Sequence, residues 1–155
     1  MSPSNRTNLL CAGGLALLLA IRLDAAPPAV TLQVERTEVP SVVRMTLVNA
    51  SQSPFVISRA FLPWRQANVK AAAIQERSEK PLDRGFSLDA APPGTLTVPA
   101  GGSVSEKVDL AAWFPRIKET LALDNVVVYF AYDFRGASRT APTRIYAGVT
   151  LERSR

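Results

Sequence analysis

The feature that most restricts this chain is a two-residue hydrophobic alternation, repeated in short runs that Pro, Gly, Asn and Ser clusters cut apart. From Val30 to Arg36, Val30, Leu32 and Val34 share one face. From Val42 to Asn49, Val43, Met45 and Leu47 point one way, and Arg44 and Thr46 the other. Over 143–152, Ile145, Ala147, Val149 and Leu151 alternate with Arg144, Tyr146, Thr150 and Glu152. A period of two sends successive side chains to opposite sides of an extended backbone. Each run therefore reads as a strand with one buried and one wet face. The clusters at 49–54, 91–94 and 99–103 carry the residues that turns require.

The intervening segments fill in the same pattern. Phe55, Val56 and Ile57 begin a further strand, and 59–68 is irregular. Residues 69–76 contain three consecutive alanines that favour helix, but their neighbours favour a strand, with 82–88 as its returning partner across a turn at 77–81. A short strand is expected at 95–98. Val104, Val108 and Leu110 share a face that Glu106 interrupts, which suits a sheet edge. Residues 111–116 read as a short helical turn. Residues 125–134 are apolar on both faces, which places them in the middle of a sheet. No segment keeps a helical period for three turns. The expected fold is all-β: an immunoglobulin-like antiparallel β-sandwich of seven to nine strands over residues 27–155.

The N-terminus follows a different logic. A polar start carrying Arg6 leads into the 13-residue apolar run 9–21, then Ala25, Ala26, Pro27 and Pro28. This is the layout of a secretory signal, too short for a bilayer span of ~20 residues. Residues 1–26 are therefore expected to be a signal helix, removed after Ala25 or Ala26. Cys11, the only cysteine, lies inside the run behind Leu10, away from a lipidation position. The mature domain then has no disulfide and no thiolate chemistry. The expected address is the periplasm or the secreted fraction, with no stable membrane span once the signal is gone.

Residues 96–114, from Leu96-Thr-Val-Pro-Ala-Gly-Gly-Ser through Val108-Asp-Leu to Trp113-Phe114, followed by Val126-Val-Val-Tyr-Phe-Ala-Tyr132, resemble a pattern of bacterial immunoglobulin-like domains. Leu47-Val-Asn-Ala-Ser-Gln-Ser-Pro54 resembles the turn near the second strand of such domains. They are similar to the non-catalytic domain that precedes the peptidase domain of some secreted zinc endopeptidases. The resemblance implies a stand-alone sandwich without its enzyme, because the H-E-x-x-H helix is absent. Within it, Pro99-Ala-Gly-Gly supplies a tight turn, Asp109 caps the following turn, and Trp113 and Phe114 plug one end.

The sequence excludes more chemistry than it offers. There is no histidine, so the commonest general base and metal ligand are missing. No phosphate-loop glycine spacing occurs. Asp83 with Asp89, and Glu76 with Glu79, are conceivable carboxylate pairs, but they read as solvated turn charges. Ser78 and Lys80 lie in an expected exposed turn that cannot hold a catalytic pair. Asn49-Ala50-Ser51 is a glycosylation sequon that matters only in a eukaryotic host. The net charge is +5, or +4 without residues 1–26, and the basic residues are scattered. A nucleic-acid partner would call for a clustered patch.

These observations point to a non-catalytic exported domain with no metal and no cofactor, whose partner is another protein. A secreted inhibitor of a hydrolase (protease or lysozyme) is the alternative, with 59–68 or 77–84 as its loop. The candidate contact residues are Phe61, Leu62, Trp64 and Arg65, since Trp and Arg are favoured at binding hot spots. Two readings of them stay open: an exposed patch, or aromatics folded back into the core.

Overall fold

The structure, a computed structural model, describes residues 29–86, 92–134 and 143–154. The expected signal segment and its cleavage point, Cys11, residues 87–88 and Asp89 lie outside the described residues. In chain order the strands are β1 (Val30–Arg36), β2 (Val42–Asn49), β3 (Phe55–Ser58), β4 (Val69–Gln75), β5 (Pro81–Leu82), β6 (Thr95–Val98), β7 (Ser103–Asp109), β8 (Val126–Phe134) and β9 (Thr143–Leu151). One α-helix, α1 (Ile117–Leu121), lies before β8. Short 3-10 turns occupy Arg59–Phe61, Gln66–Asn68 and Leu110–Ala112. The protein is thus mostly antiparallel β-sheet, and among the described residues no helix is long and apolar enough to cross a membrane.

Three sheets form. Strands β1-β2-β7 make one, β3-β6 a second, and β5-β4-β8-β9 a third. The alternation sets the registers. Leu32 stands opposite Leu47, and Val34 opposite Met45. A one-residue slip would turn Val43, Met45 and Leu47, all fully buried, out to water. The hairpin between β1 and β2 is tied by Thr37, whose Oγ1 donates to the Val42 carbonyl at 2.9 Å and accepts from the Val39 N–H at 3.2 Å.

One core joins the sheets. Leu32, Met45 and Val108 come from the three-stranded sheet, and Val69, Val128, Phe130 and Tyr132 from the four-stranded one. Trp113 meets Phe130 edge-on, with ring centroids 6.1 Å apart. Phe55 meets Phe134 in the same way at 5.1 Å, so β3 is anchored to β8. Each fully buried side chain of this core, such as Met45 or Phe130, contributes about 1.5–3 kcal/mol.

The turns follow their residues. Gly101 takes φ +66°, and a Cβ on Gly102 would sit 2.6 Å from Pro99 Cγ, so both positions require glycine. Asp109 Oδ1 accepts from the Ala111 N–H at 2.9 Å, capping the 3-10 turn as expected. Trp113 and Phe114 are buried.

Two expectations need correcting in detail. The returning partner of β4 ends at Leu82 rather than 88: only Ala73 with Leu82 and Ile74 with Pro81 pair. Beyond that, Gly85 N–H donates instead to the Trp113 carbonyl at 2.7 Å. Strand β8 is central, between β4 and β9, yet among the described residues only one side is covered. Val126, Val128, Phe130 and Tyr132 are buried, whereas Val127 and Ala131 are half-buried and Tyr129 is exposed. Glu106 is exposed on β7, the outer strand of its sheet, as its place in the pattern required.

Candidate functional site

The irregular segment 59–68 divides its large side chains between inside and outside. Leu62 and Trp64 are 4% and 8% exposed and belong to the core. Phe61 is 38% exposed, and Arg65 is half-buried. A contact surface here would therefore consist of Phe61 and Arg65, with Leu62 and Trp64 as its foundation. The segment is pinned along its length. Tyr132 Oη donates to the Phe61 carbonyl at 2.7 Å, and Asn68 Nδ2 donates to the Ala60 carbonyl. Arg65 N–H donates to the Leu62 carbonyl at 3.0 Å, and Arg59 N–H to Gly94 at 3.0 Å. Arg65 Nε is buried without a hydrogen-bond partner among the described residues.

A second segment is clasped to the first. Arg84 Nη2 donates to the carbonyls of Gln66 at 2.8 Å and Val69 at 2.7 Å. Gln66 Nε2 returns a bond to the Gly85 carbonyl at 2.7 Å. The Arg84 guanidinium also lies 5.7 Å from the Trp113 ring centroid, within cation–π range. Burial holds its pKa below the usual arginine range. The next residue but one, Phe86, is 86% exposed. Arg84 and Gly85 are thus tied to the loop 59–68 that carries Phe61, and Phe86 follows them in the chain. Arg84, Gln66 and Phe86 escaped sequence reasoning, because a long-range bond from a side chain to a carbonyl leaves no periodic trace.

The outer side of the four-stranded sheet is the other unusual surface. Tyr129 on β8 and Tyr146 on β9 are 54% and 72% exposed. Tyr129 stands opposite Ala72 on one side and Gly148 on the other, and Tyr146 stands opposite Ala131. Arg144 grips Asp133 with two bonds, 2.7 and 3.1 Å long. That carboxylate, with the Tyr146 hydroxyl, raises the Arg144 pKa. The outward position of Tyr146 and the two-sided apolar character of 125–134 were both legible in the sequence.

The groups considered for chemistry do not converge. Glu76, Ser78, Glu79, Lys80 and Asp83 are all exposed. Glu76 accepts from Asn125 Nδ2 at 2.6 Å, and the Ser78 hydroxyl donates to Gln75 at 2.9 Å. Among the described residues no three Asp, Glu, Cys or His side chains are grouped to hold a metal. An open groove of about 920 Å³ lies where the 37–40 turn meets residues 151–154. Its cations Arg36, Arg44, Lys107 and Arg153 interleave with Glu35, Glu38 and Glu152, and Arg36 pairs with Glu152.

The sequon asparagine has a structural occupation. Asn49 is fully buried. Its Nδ2 donates to the carbonyls of Ser53 (2.9 Å), Val98 (3.2 Å) and Pro99 (2.9 Å). Its Oδ1 accepts from the N–H and the hydroxyl of Ser51. Asn49 thereby latches the β2–β3 turn to the β6–β7 turn.

No protein-family model matches the chain, and no curated protein matches it.

Proposed function

We propose that this is a non-catalytic, exported accessory domain that contacts another protein through the platform of residues 59–68 and 84–86. In this reading the three- and four-stranded sheets are the layers of an immunoglobulin-like β-sandwich, and residues 1–26 are a cleaved signal. The mature domain works in the periplasm or outside the cell. The observation that carries the contact reading is a pair of exposed phenylalanines, at 38% and 86%, one with its carbonyl bonded to Tyr132 and the other next to Gly85, whose N–H and carbonyl are both hydrogen-bonded. A fixed aromatic loses little conformational freedom on binding, which favours affinity.

The test is a photo-crosslinking residue at position 86 in the exporting cell, combined with intact mass of the exported chain. The expected result is one discrete crosslinked protein, lost in Phe61→Ser, with a mature chain that starts after Ala25 or Ala26. A diffuse smear unaffected by Phe61→Ser removes the contact reading. A chain that still starts at residue 1 removes the export reading.

The same rigidity supports a second reading, a hydrolase inhibitor, since inhibitory loops are pre-organised. Protease and lysozyme assays at equimolar protein separate the two.

A further inference from the structure

We propose that the outer face of the four-stranded sheet binds an extended acidic polysaccharide, with sugar rings stacked on Tyr129 and Tyr146 and a carboxylate paired with Lys70. This goes beyond the platform reading and uses none of its residues. The register carries the geometry. Tyr129 pairs with Gly148, and Tyr146 pairs with Ala131, two residues away along each strand. Diagonal neighbours of this kind lie roughly 7–8 Å apart, close enough for one chain to cover both rings.

The surroundings keep the rings accessible. Ala72, Ala131 and Gly148 flank them and carry nothing larger than a methyl group. A Cβ on Gly148 would already lie 3.7 Å from Tyr129 Cδ1, so a longer side chain would compete with the ring for that space. The C–H faces of sugar rings suit the negative face of an aromatic ring.

Charge selects the class of glycan. Arg144 is committed to Asp133. Lys70 lies in the same cross-strand row as Ala131 and Tyr146, is exposed, and has no ion pair among the described residues. Among the described residues between the rows of Val127 and Asp133, the one charge without an ion pair is that of Lys70, and its complement is a carboxylate; Glu76 lies beyond this patch, in the Asn125 row.

Area separates a glycan from a protein. Three strands spanning Val127 to Asp133 give a face of roughly 15 by 20 Å, about 300 Å². A stable protein interface needs about 800 Å² on each partner. A short run of sugars lies within the smaller figure.

The experiment is affinity electrophoresis of the purified protein in gels containing polygalacturonate, with dextran as the neutral control. Polygalacturonate is expected to retard the protein and dextran is not. Tyr129→Ala and Tyr146→Ala each weaken retardation about tenfold, as loss of an aromatic contact does. Tyr→Phe at the same positions retains it, and Lys70→Gln lowers both affinity and salt sensitivity. Arg44→Gln, which removes an exposed charge from the three-stranded sheet, is the control for adsorption by net charge and leaves retardation unchanged. No retardation overturns the proposal, as does an equal loss in Arg44→Gln. It also falls if the tyrosine variants lower the sedimentation coefficient of the free protein, because a second copy then occupies the face.

Discussion

Tyr132 places its ring in the core and its hydroxyl on the Phe61 carbonyl, so one residue links the sheet to the loop. Removing the hydroxyl deletes the bond from Tyr132 to the Phe61 carbonyl. Tyr132→Phe is expected to cost about 1–2 kcal/mol in urea unfolding. The pH dependence has a definite sign. Burial raises the Tyr132 pKa above its ordinary 10.0, so the unfolded chain loses this proton first as the solution becomes alkaline. The stability tied to the proton is complete below about pH 10 and declines above it. The phenylalanine variant shows a smaller alkaline loss, readable as the difference in Tm between pH 9 and pH 11. An equal loss in both proteins would place the titration elsewhere. Asp109 shows the opposite direction. Partial burial pushes its carboxyl up, but bonds from the Ala111 N–H, Ser41 and Lys118 outweigh this and hold it below the usual range. What it contributes is present above about pH 4 and is lost as acid protonates it.

At the scale of elements, strands with one wet face were legible almost residue for residue. β1 and β2 begin and end where their alternation does, because a period-2 stripe specifies both register and facing. The helix α1 was not legible. Its buried residues Ile117, Thr120 and Leu121 have helical spacing, but five residues are too few to establish a period. The partner of β4 was overextended for a related reason. Residues 82–88 look like a strand locally, and the long-range attachment of Arg84 and Gly85 to Gln66, Val69 and Trp113 overrides that preference. Glu106 belongs to this scale as well. Its register sets it opposite Met45, on the core-side face of the outer strand of its sheet, where it stays exposed. An inward charge on an outer strand discourages pairing with another chain. Glu106→Val should therefore raise the sedimentation coefficient with protein concentration, while the parent stays constant. Unchanged behaviour in the variant would show that the edge is protected by other means.

At the scale of the whole molecule, one core joins three sheets, and a single cysteine can form no disulfide within the chain. Stability then rests on packing, within a total of about 5–15 kcal/mol. Trp64→Ala opens a cavity under the loop and is expected to cost about 3–5 kcal/mol, lowering Tm by roughly 10–20 °C in calorimetry. A loss under 1 kcal/mol would mean that the loop folds independently of the core. The layout of segment 59–68 was only half legible. A cluster of Phe, Leu, Trp and Arg marks a place where large groups gather, but not which of them turn inward. That depended on Tyr132, Arg84 and Gln66, all distant in sequence.

Asn49 has a consequence for biosynthesis. Its amide nitrogen is the atom that a glycan would occupy, and folding commits that atom to three carbonyls from two turns. In a glycosylating secretory pathway, modification and closure of the latch are competing fates of one nitrogen. A chain modified before its turns meet is barred from the native state, and a chain that folds first is barred from modification. The choice of production host thus decides whether this asparagine is a structural latch or a folding block.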